Sequence, residues 1–161
     1  DVLLGTGCRW GEGAGIRWQD VDLEAGTVTI CGTLVQKAGW QADTKTHEVR
    51  TLQVPPFVLA VLRRRRSEAR EGAVFVFEQG GKSLAYNSAR TWLGRALKGS
   101  DLEWVTWHVL RKTTATFLDE KLGIAEASLQ LGHASEEMTR SAYVQRSKQA
   151  AFAEALEGLA G

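Results

Sequence analysis

Residues 27–62 read TVTICGTLVQKAGWQADTKTHEVRTLQVPPFVLAVL, and the fold class turns on how this stretch is parsed. Its first four residues alternate Thr27 and Thr29 with Val28 and Ile30, a β-branched pattern that predicts a half-buried strand. Gly32 interrupts the pattern before a second run at 33–35. A polar stretch reaches Thr46, and residues 49–54 then return to strand composition. Three such runs predict a small three-stranded antiparallel sheet, with a long hairpin loop that presents Lys45. Pro55 and Pro56 end the last run, since proline has no N–H for a ladder bond. Phe57, Val58, Val61 and Leu62 follow at helical spacing and lead into the arginines at 63–66.

Working outward, the opening phrase DVLLGTG looks like the last turn of a helix stopped by Gly5 and Gly7. It begins in mid-phrase and without Met, so the chain is expected to be a fragment with an upstream domain missing. Glycines crowd residues 11–15. Downstream, Asn87 or Ser88 is positioned to cap a helix through Lys98, and Thr106 another to about Leu122. Shorter helices are expected over 124–131, 136–143 and 148–159. The sum is one mixed α+β domain over residues 1–161, mainly helical with one small sheet.

Composition sets wide limits. The 161 residues are 43% hydrophobic and 24% charged, enough for one core. No run of about 18 apolar residues is present to span a bilayer. Cys8 and Cys31 match neither a disulfide framework nor paired zinc-ligand spacing, and a reducing cytoplasm is the expected setting. The net charge of +1 hides an asymmetry: residues 45–70 hold seven basic side chains against two acidic ones, whereas residues 1–44 hold three against six. A local basic patch attracts a polyanion even on a nearly neutral chain. A solvated helix end explains the run 63–66 equally well.

On the helix from Thr106, His108 and Arg111 stand three apart and share a face. Leu110, Thr114 and Phe117 cluster on another side suited to a core, which leaves the pair on an exposed or cleft-facing edge. Arginine supplies forked donors and histidine exchanges a proton near neutrality, a combination that suits an anionic oxygen. Taken alone, the pair is more simply read as a solvated, salt-bridging surface feature.

Six phrases taken together carry more. TGCRWGE with Arg9 and Glu12, RWQDVDL, TKT with Lys45, HVLRKT with His108 and Arg111, LGH with His133, and MTRSAY with Tyr143 follow in this order along nearly the whole chain. In these phrases the sequence resembles the catalytic domain of the tyrosine recombinases, the phage integrases. The resemblance implies that fold, and a DNA strand-transfer enzyme using neither metal nor other cofactor. Tyr143 would attack a backbone phosphorus and form a 3′-phosphotyrosyl link. Arg9 and Arg111 would grip non-bridging oxygens as they gain charge, and Lys45 would protonate the departing 5′ oxygen. His108 would assist the tyrosine proton or the phosphate, and His133 would donate to a phosphate oxygen. Glu12 would buttress Arg9, while Arg50 and Lys112 would contact DNA. The implied partners are double-stranded DNA, further copies of the chain in a tetramer, and accessory DNA-bending proteins, in the cytoplasm at the nucleoid. No membrane is implied. In the family, a tail such as AAFAEALEGLAG docks on a neighbouring protomer.

The sequence also departs from the pattern. Val109 stands where an acidic residue is usual, Trp10 where a second basic residue often follows Arg9, and Trp107 where proline is frequent. His133 and Tyr143 are ten residues apart, one more than in many members. A non-cutting DNA-binding or regulatory module of the same ancestry and a type IB topoisomerase-like strand cleavage remain open. A metal-dependent hydrolase built on His47, His108 and His133 lacks any HExxH-type spacing. The six tryptophans suit core packing or a DNA-facing surface.

Overall fold

The computed structural model of the chain describes residues 1–42 and 49–132. Helix α1, Val2–Thr6, closes at Gly7 with φ +66, a left-handed cap that glycine adopts without a Cβ penalty. Gly5 was expected to share in that stop. It lies inside the helix instead, where a Cβ would stand 2.3 Å from Val58, so its smallness lets another helix approach. Helix α2, Trp10–Ala14, follows at once, and the 3₁₀ turn Trp18–Asp20 leads into β1, Val21–Asp22.

Asp22 turns the chain back on itself. Its carboxylate accepts from the backbone N–H groups of Glu24 and Ala25 at 2.9 and 2.8 Å, a local device typical of aspartate in turns. Strand β2, Thr27–Ile30, therefore pairs antiparallel with β1. The third strand is not the expected one. Thr33–Val35, β3, leaves the sheet and forms a separate ribbon with β4, Gly39–Gln41, with Leu34 opposite Trp40. The reason is local to Gly32: a Cβ there would meet the Trp40 ring at 2.4 Å and the Gln41 carbonyl at 2.5 Å, so the ribbon folds over that glycine. The sheet is completed by β5, Arg50–Gln53, which pairs with β2 in the register Val28↔Leu52 and Ile30↔Arg50.

Helix α3 spans Pro56–Glu68 and carries the arginine run in its last turns, close to the expected end. Val58 and Leu62 are fully buried, while Phe57 is left exposed. Three arginines of the run are bound to their own domain: Arg63 donates to the Leu23 carbonyl at 3.0 Å, Arg65 donates to Val76 at 2.9 Å, and Arg66 lies over the Trp18 ring. The small hairpin of β6, Glu78–Gln79, and β7, Lys82–Ser83, precedes α4, Tyr86–Leu97. That helix starts ahead of the expected caps at Asn87 or Ser88, with Ala85 preceding it and no side-chain cap. Helices α5, Trp107–Leu122, and α6, Ile124–Leu131, meet their expected bounds, and the Thr106 hydroxyl accepts from Val109 N–H as a cap should. The helices expected over 136–143 and 148–159 lie outside the described residues, as does Lys45, while the expected hairpin loop before it contains β4. None of the described helices is long and apolar enough to cross a membrane.

The core is built from Val28, Ile30 and Leu52 of the sheet with Val58 and Leu62 of α3, and Val2, Cys8, Ile16, Val54 and Val76 close around them. The architecture is thus mixed α+β, chiefly helical, with a three-stranded antiparallel sheet. The tryptophans divide: Trp40 is pinned by a bond to the Gly15 carbonyl and by the Arg17 guanidinium, whereas Trp92 and Trp104 are exposed. Leu62→Ala should cost about 2–5 kcal/mol, the range for a buried leucine. Gly32→Ala should also destabilise, since its Cβ has no room. Denaturant melts of both variants check this, and a neutral Gly32→Ala would mean that the ribbon is free to shift.

Candidate functional site

The helix ends meet on one side of the core. Gly7, beyond α1, can approach α5 and α6 only as glycine: a Cβ would meet Leu131 at 2.7 Å and Thr114 at 3.1 Å. Its carbonyl accepts from Arg111 Nη1 at 2.7 Å, and the carbonyl of Leu131, the last residue of α6, accepts from Arg111 Nη2 at 2.9 Å. Carbonyls at a helix C-terminus have no intrahelical partner and carry the negative end of the helix dipole. Two of them, from two helices, therefore hold one cation. Arg111 is 8% exposed. Burial first, and then the neighbouring charge of Arg9, pulls its pKa down to about 10, so it stays charged at neutral pH.

Arg9 begins α2 and Glu12 sits in that helix's first turn. One Glu12 oxygen accepts from the Arg9 guanidinium at 2.9 Å, and the other accepts from the Arg9 backbone N–H at 2.9 Å. That second oxygen also takes Arg50 Nη2 at 2.8 Å. The Glu12 side chain is only 1% exposed. Burial alone would raise its pKa, but the charge and hydrogen bond of Arg50, with the N–H groups of Arg9, hold it below the usual carboxylate range. Cys8 lies among these groups, buried, and burial pushes its thiol up to about 11. It stays protonated and unreactive at neutral pH. Two guanidiniums thus share one carboxylate, Arg111 stands beside them on its two carbonyls, and a positive surplus remains. Arg9 retains partial exposure, with Nε and Nη2 unpartnered among the described residues.

The residues singled out from the sequence are distributed as follows. Arg9, Glu12, Arg50 and Arg111 come together. His108 is exposed one turn before Arg111, and Lys112 is exposed beside it. Lys45, His133 and Tyr143 lie outside the described residues, as does His47. Helix α5 keeps Thr114 inward as expected, but Arg111 is buried with it and Phe117 is exposed. Polar anchoring explains the difference, since the Thr114 hydroxyl donates to the Leu4 carbonyl while Arg111 takes the helix ends. Arg50, read as a DNA contact, turns inward on Glu12 and on the Gln130 carbonyl at 3.1 Å. The anchoring carbonyls of Gly7 and Leu131 were not foreseen. A glycine directly after each of the two helices was the signal available. Among the described residues, no three of His, Cys, Asp and Glu converge as metal ligands.

Comparison with known proteins adds a separate line of observation. The model of the phage integrase family matches residues 1–150. A tyrosine recombinase XerC-like protein of Caldanaerobacter subterraneus subsp. tengcongensis is 26% identical over 170 residues, covering 88% of this chain and 43% of that protein. The fold is similar to that of the Tn1549 transposon integrase in complex with transposon right end DNA, at 24% identity and a TM-score of 0.71, covering 99% of this chain and 57% of that one. It is also similar to the XerH site-specific recombinase bound to its difH substrate, at 24% identity and 0.67, covering 93% and 42%. The chain spans roughly half the length of these relatives or less.

Removing the shared carboxylate tests the cluster. Glu12→Gln leaves arginines buried against a neutral group, and loss of a buried partner costs about 3–5 kcal/mol. The pH dependence has a definite sign. A carboxylate whose folded pKa is depressed stabilises above its unfolded pKa and loses that contribution as pH falls through the folded value. The parent chain should therefore lose stability on acidification below the ordinary glutamate range, and Glu12→Gln should lose less over the same window. Thermal melts against pH measure both.

Proposed function

The chain belongs to the phage integrase family, and from this we propose that it is the strand-transferring catalytic part of a site-specific DNA recombinase acting through a 3′-phosphotyrosine intermediate. The single observation that carries the reading is the pairing of Arg9 and Arg111 in one cluster that holds more positive than negative charge and is anchored before any ligand arrives. Fixed donors aimed at oxygens that gain charge are the arrangement that lowers a phosphoryl-transfer barrier, because nothing has to reorganise during the reaction.

In the proposed reaction the Tyr143 oxygen attacks the phosphorus, the P–O5′ bond breaks, and a tyrosyl–phosphorus bond forms on the 3′ side. Lys45 supplies the proton that the leaving 5′ oxygen takes up. Arg9 and Arg111 hold the non-bridging oxygens, with His133 donating to one of them and His108 assisting the tyrosine proton or the phosphate. A 5′-hydroxyl, from the same strand or a partner strand, reverses the step. One phosphoester is exchanged for another, so the bond energy is retained and neither ATP nor a metal has to be consumed or bound. Lys112 lies one residue beyond Arg111 and would reach the DNA backbone. The reading further implies double-stranded DNA gripped by a tetramer of chains with accessory DNA-bending proteins, in the cytoplasm at the nucleoid.

The deciding experiment is a denaturing-gel assay for a covalent protein–DNA adduct, using a pool of nicked random-sequence duplexes in chelator. The parent chain should give an adduct. Tyr143→Phe should give none while still binding DNA, since one hydroxyl is all that is removed. Binding without any adduct from the parent would favour the non-cutting module. Arg9→Ala should slow adduct formation by roughly 10²–10³-fold, the usual loss for one transition-state donor. Lys45→Ala should regain most of its lost rate on a substrate whose 5′ leaving oxygen is sulfur, which departs without a proton. If the defect persists there, Lys45 positions DNA instead.

A further inference from the structure

We infer that Arg50 is a positioning residue that sets the spacing of Arg9 and Arg111. The inference rests on the proposed reading of those two arginines as phosphate ligands. Arg50 sits at the end of β5, opposite Ile30, and its side chain is only 10% exposed. Nη2 donates to Glu12 and Nε to the Gln130 carbonyl. The carbonyl of the next residue, Leu131, holds Arg111. A continuous chain of contacts therefore runs from Arg9 through Glu12 and Arg50 to the end of α6, and from there to Arg111. No other hydrogen bond among the described residues links Glu12 to α6.

The charge arrangement points the same way. Without Arg50, Glu12 would be left with Arg9 alone, and the two charges would cancel. With Arg50 present, the carboxylate is shared, and Arg9 keeps a net positive charge for a ligand. Burial penalises the ionised carboxylate, and Arg50 is the largest influence opposing that penalty. The fork is closely housed: Nη1 is buried with no partner among the described residues, and a Cβ at Gly132 would stand 2.6 Å from it. Lysine, with a point charge on a flexible stem, cannot bond Glu12 and Gln130 together in this planar way.

The test uses the full chain with a nicked duplex at saturating concentration and a cycle of Arg50→Gln, Glu12→Gln and the double variant, with Arg50→Lys as the charge-keeping control. Arg50→Gln should slow adduct formation by about 100-fold, the loss expected when a reacting group is misplaced by about 1 Å, while the DNA dissociation constant stays within about threefold. Adding Arg50→Gln to Glu12→Gln should cost little more, because both changes break one chain of contacts. Multiplying defects, or a loss confined to binding, would mean that Arg50 meets DNA directly. Arg50→Lys should melt close to the parent yet remain slow; full recovery of rate would sink the two-bond role. A second arm is independent of cleavage. The ¹³C carboxyl titration of Glu12 should move to higher pH in Arg50→Gln, and the Arg9 Nε–H signal should broaden. If neither changes, the inference fails whatever the activity. If both change but the parent forms no adduct, the fault lies with the proposed function.

Discussion

A carboxylate that is 1% exposed organises this site. An isolated ionised group is costly to bury, and Glu12 is tolerated because three N–H groups converge on its two oxygens. The arrangement also explains α2. Five residues are too few for a helix to persist by its own propensity, and three of WGEGA's positions are glycine or alanine. The helix exists because Glu12 bonds back to the residue that starts it, and because its glycines allow close packing. A Cβ on Gly11 would strike Thr33 at 2.6 Å, and one on Gly13 would strike Leu3 at 2.4 Å. Glycines that look unfavourable for a helix in sequence are what let this one sit between α1 and the β3–β4 ribbon.

Arg111 shows the complementary solution for a cation. Instead of a carboxylate, it is held by the carbonyls of Gly7 and Leu131. A carboxylate partner would neutralise the guanidinium outright. Carbonyl dipoles stabilise it while leaving its formal charge in place, and the cost appears as a pKa lowered to about 10. Around Glu12, by the same logic, two arginines share one carboxylate. Both devices hold positive charge in place without cancelling it outright.

Features governed by neighbours in the chain were legible in the sequence. Thr106 caps α5 through its own hydroxyl, and glycines bracket α6, so both helices had readable bounds. Strand pairing was less accessible. The composition of residues 33–35 is strand-like, but their partner is set by the fit of Trp40 over Gly32, a contact that no local propensity encodes. The faces of α5 were misread for a related reason. Apolar periodicity assigns Phe117 inward and Arg111 outward, yet the inward stripe is polar because it meets carbonyls at other helix ends. Arg9, Glu12 and Arg111, singled out by the motif phrases, do come together in the fold, but the orientation of Arg50 depends on residues 38 and 80 positions away.

The same distinction changes what a basic stretch means. Residues 45–70 hold most of the chain's local positive excess, and the run Arg63 to Arg66 is its densest part. In the fold, Arg63 and Arg65 donate to backbone carbonyls and Arg66 packs on Trp18. Those cations are largely committed to fastening α3 onto the sheet and the segment after it. Arg50 lies in the same stretch and carries the same formal charge, yet it is buried beside a carboxylate shared with Arg9. A charge in a low-dielectric setting acts far more strongly on its neighbours than one in water. One inward-facing arginine therefore shapes the electrostatics of this site more than the four consecutive ones that dominate the sequence.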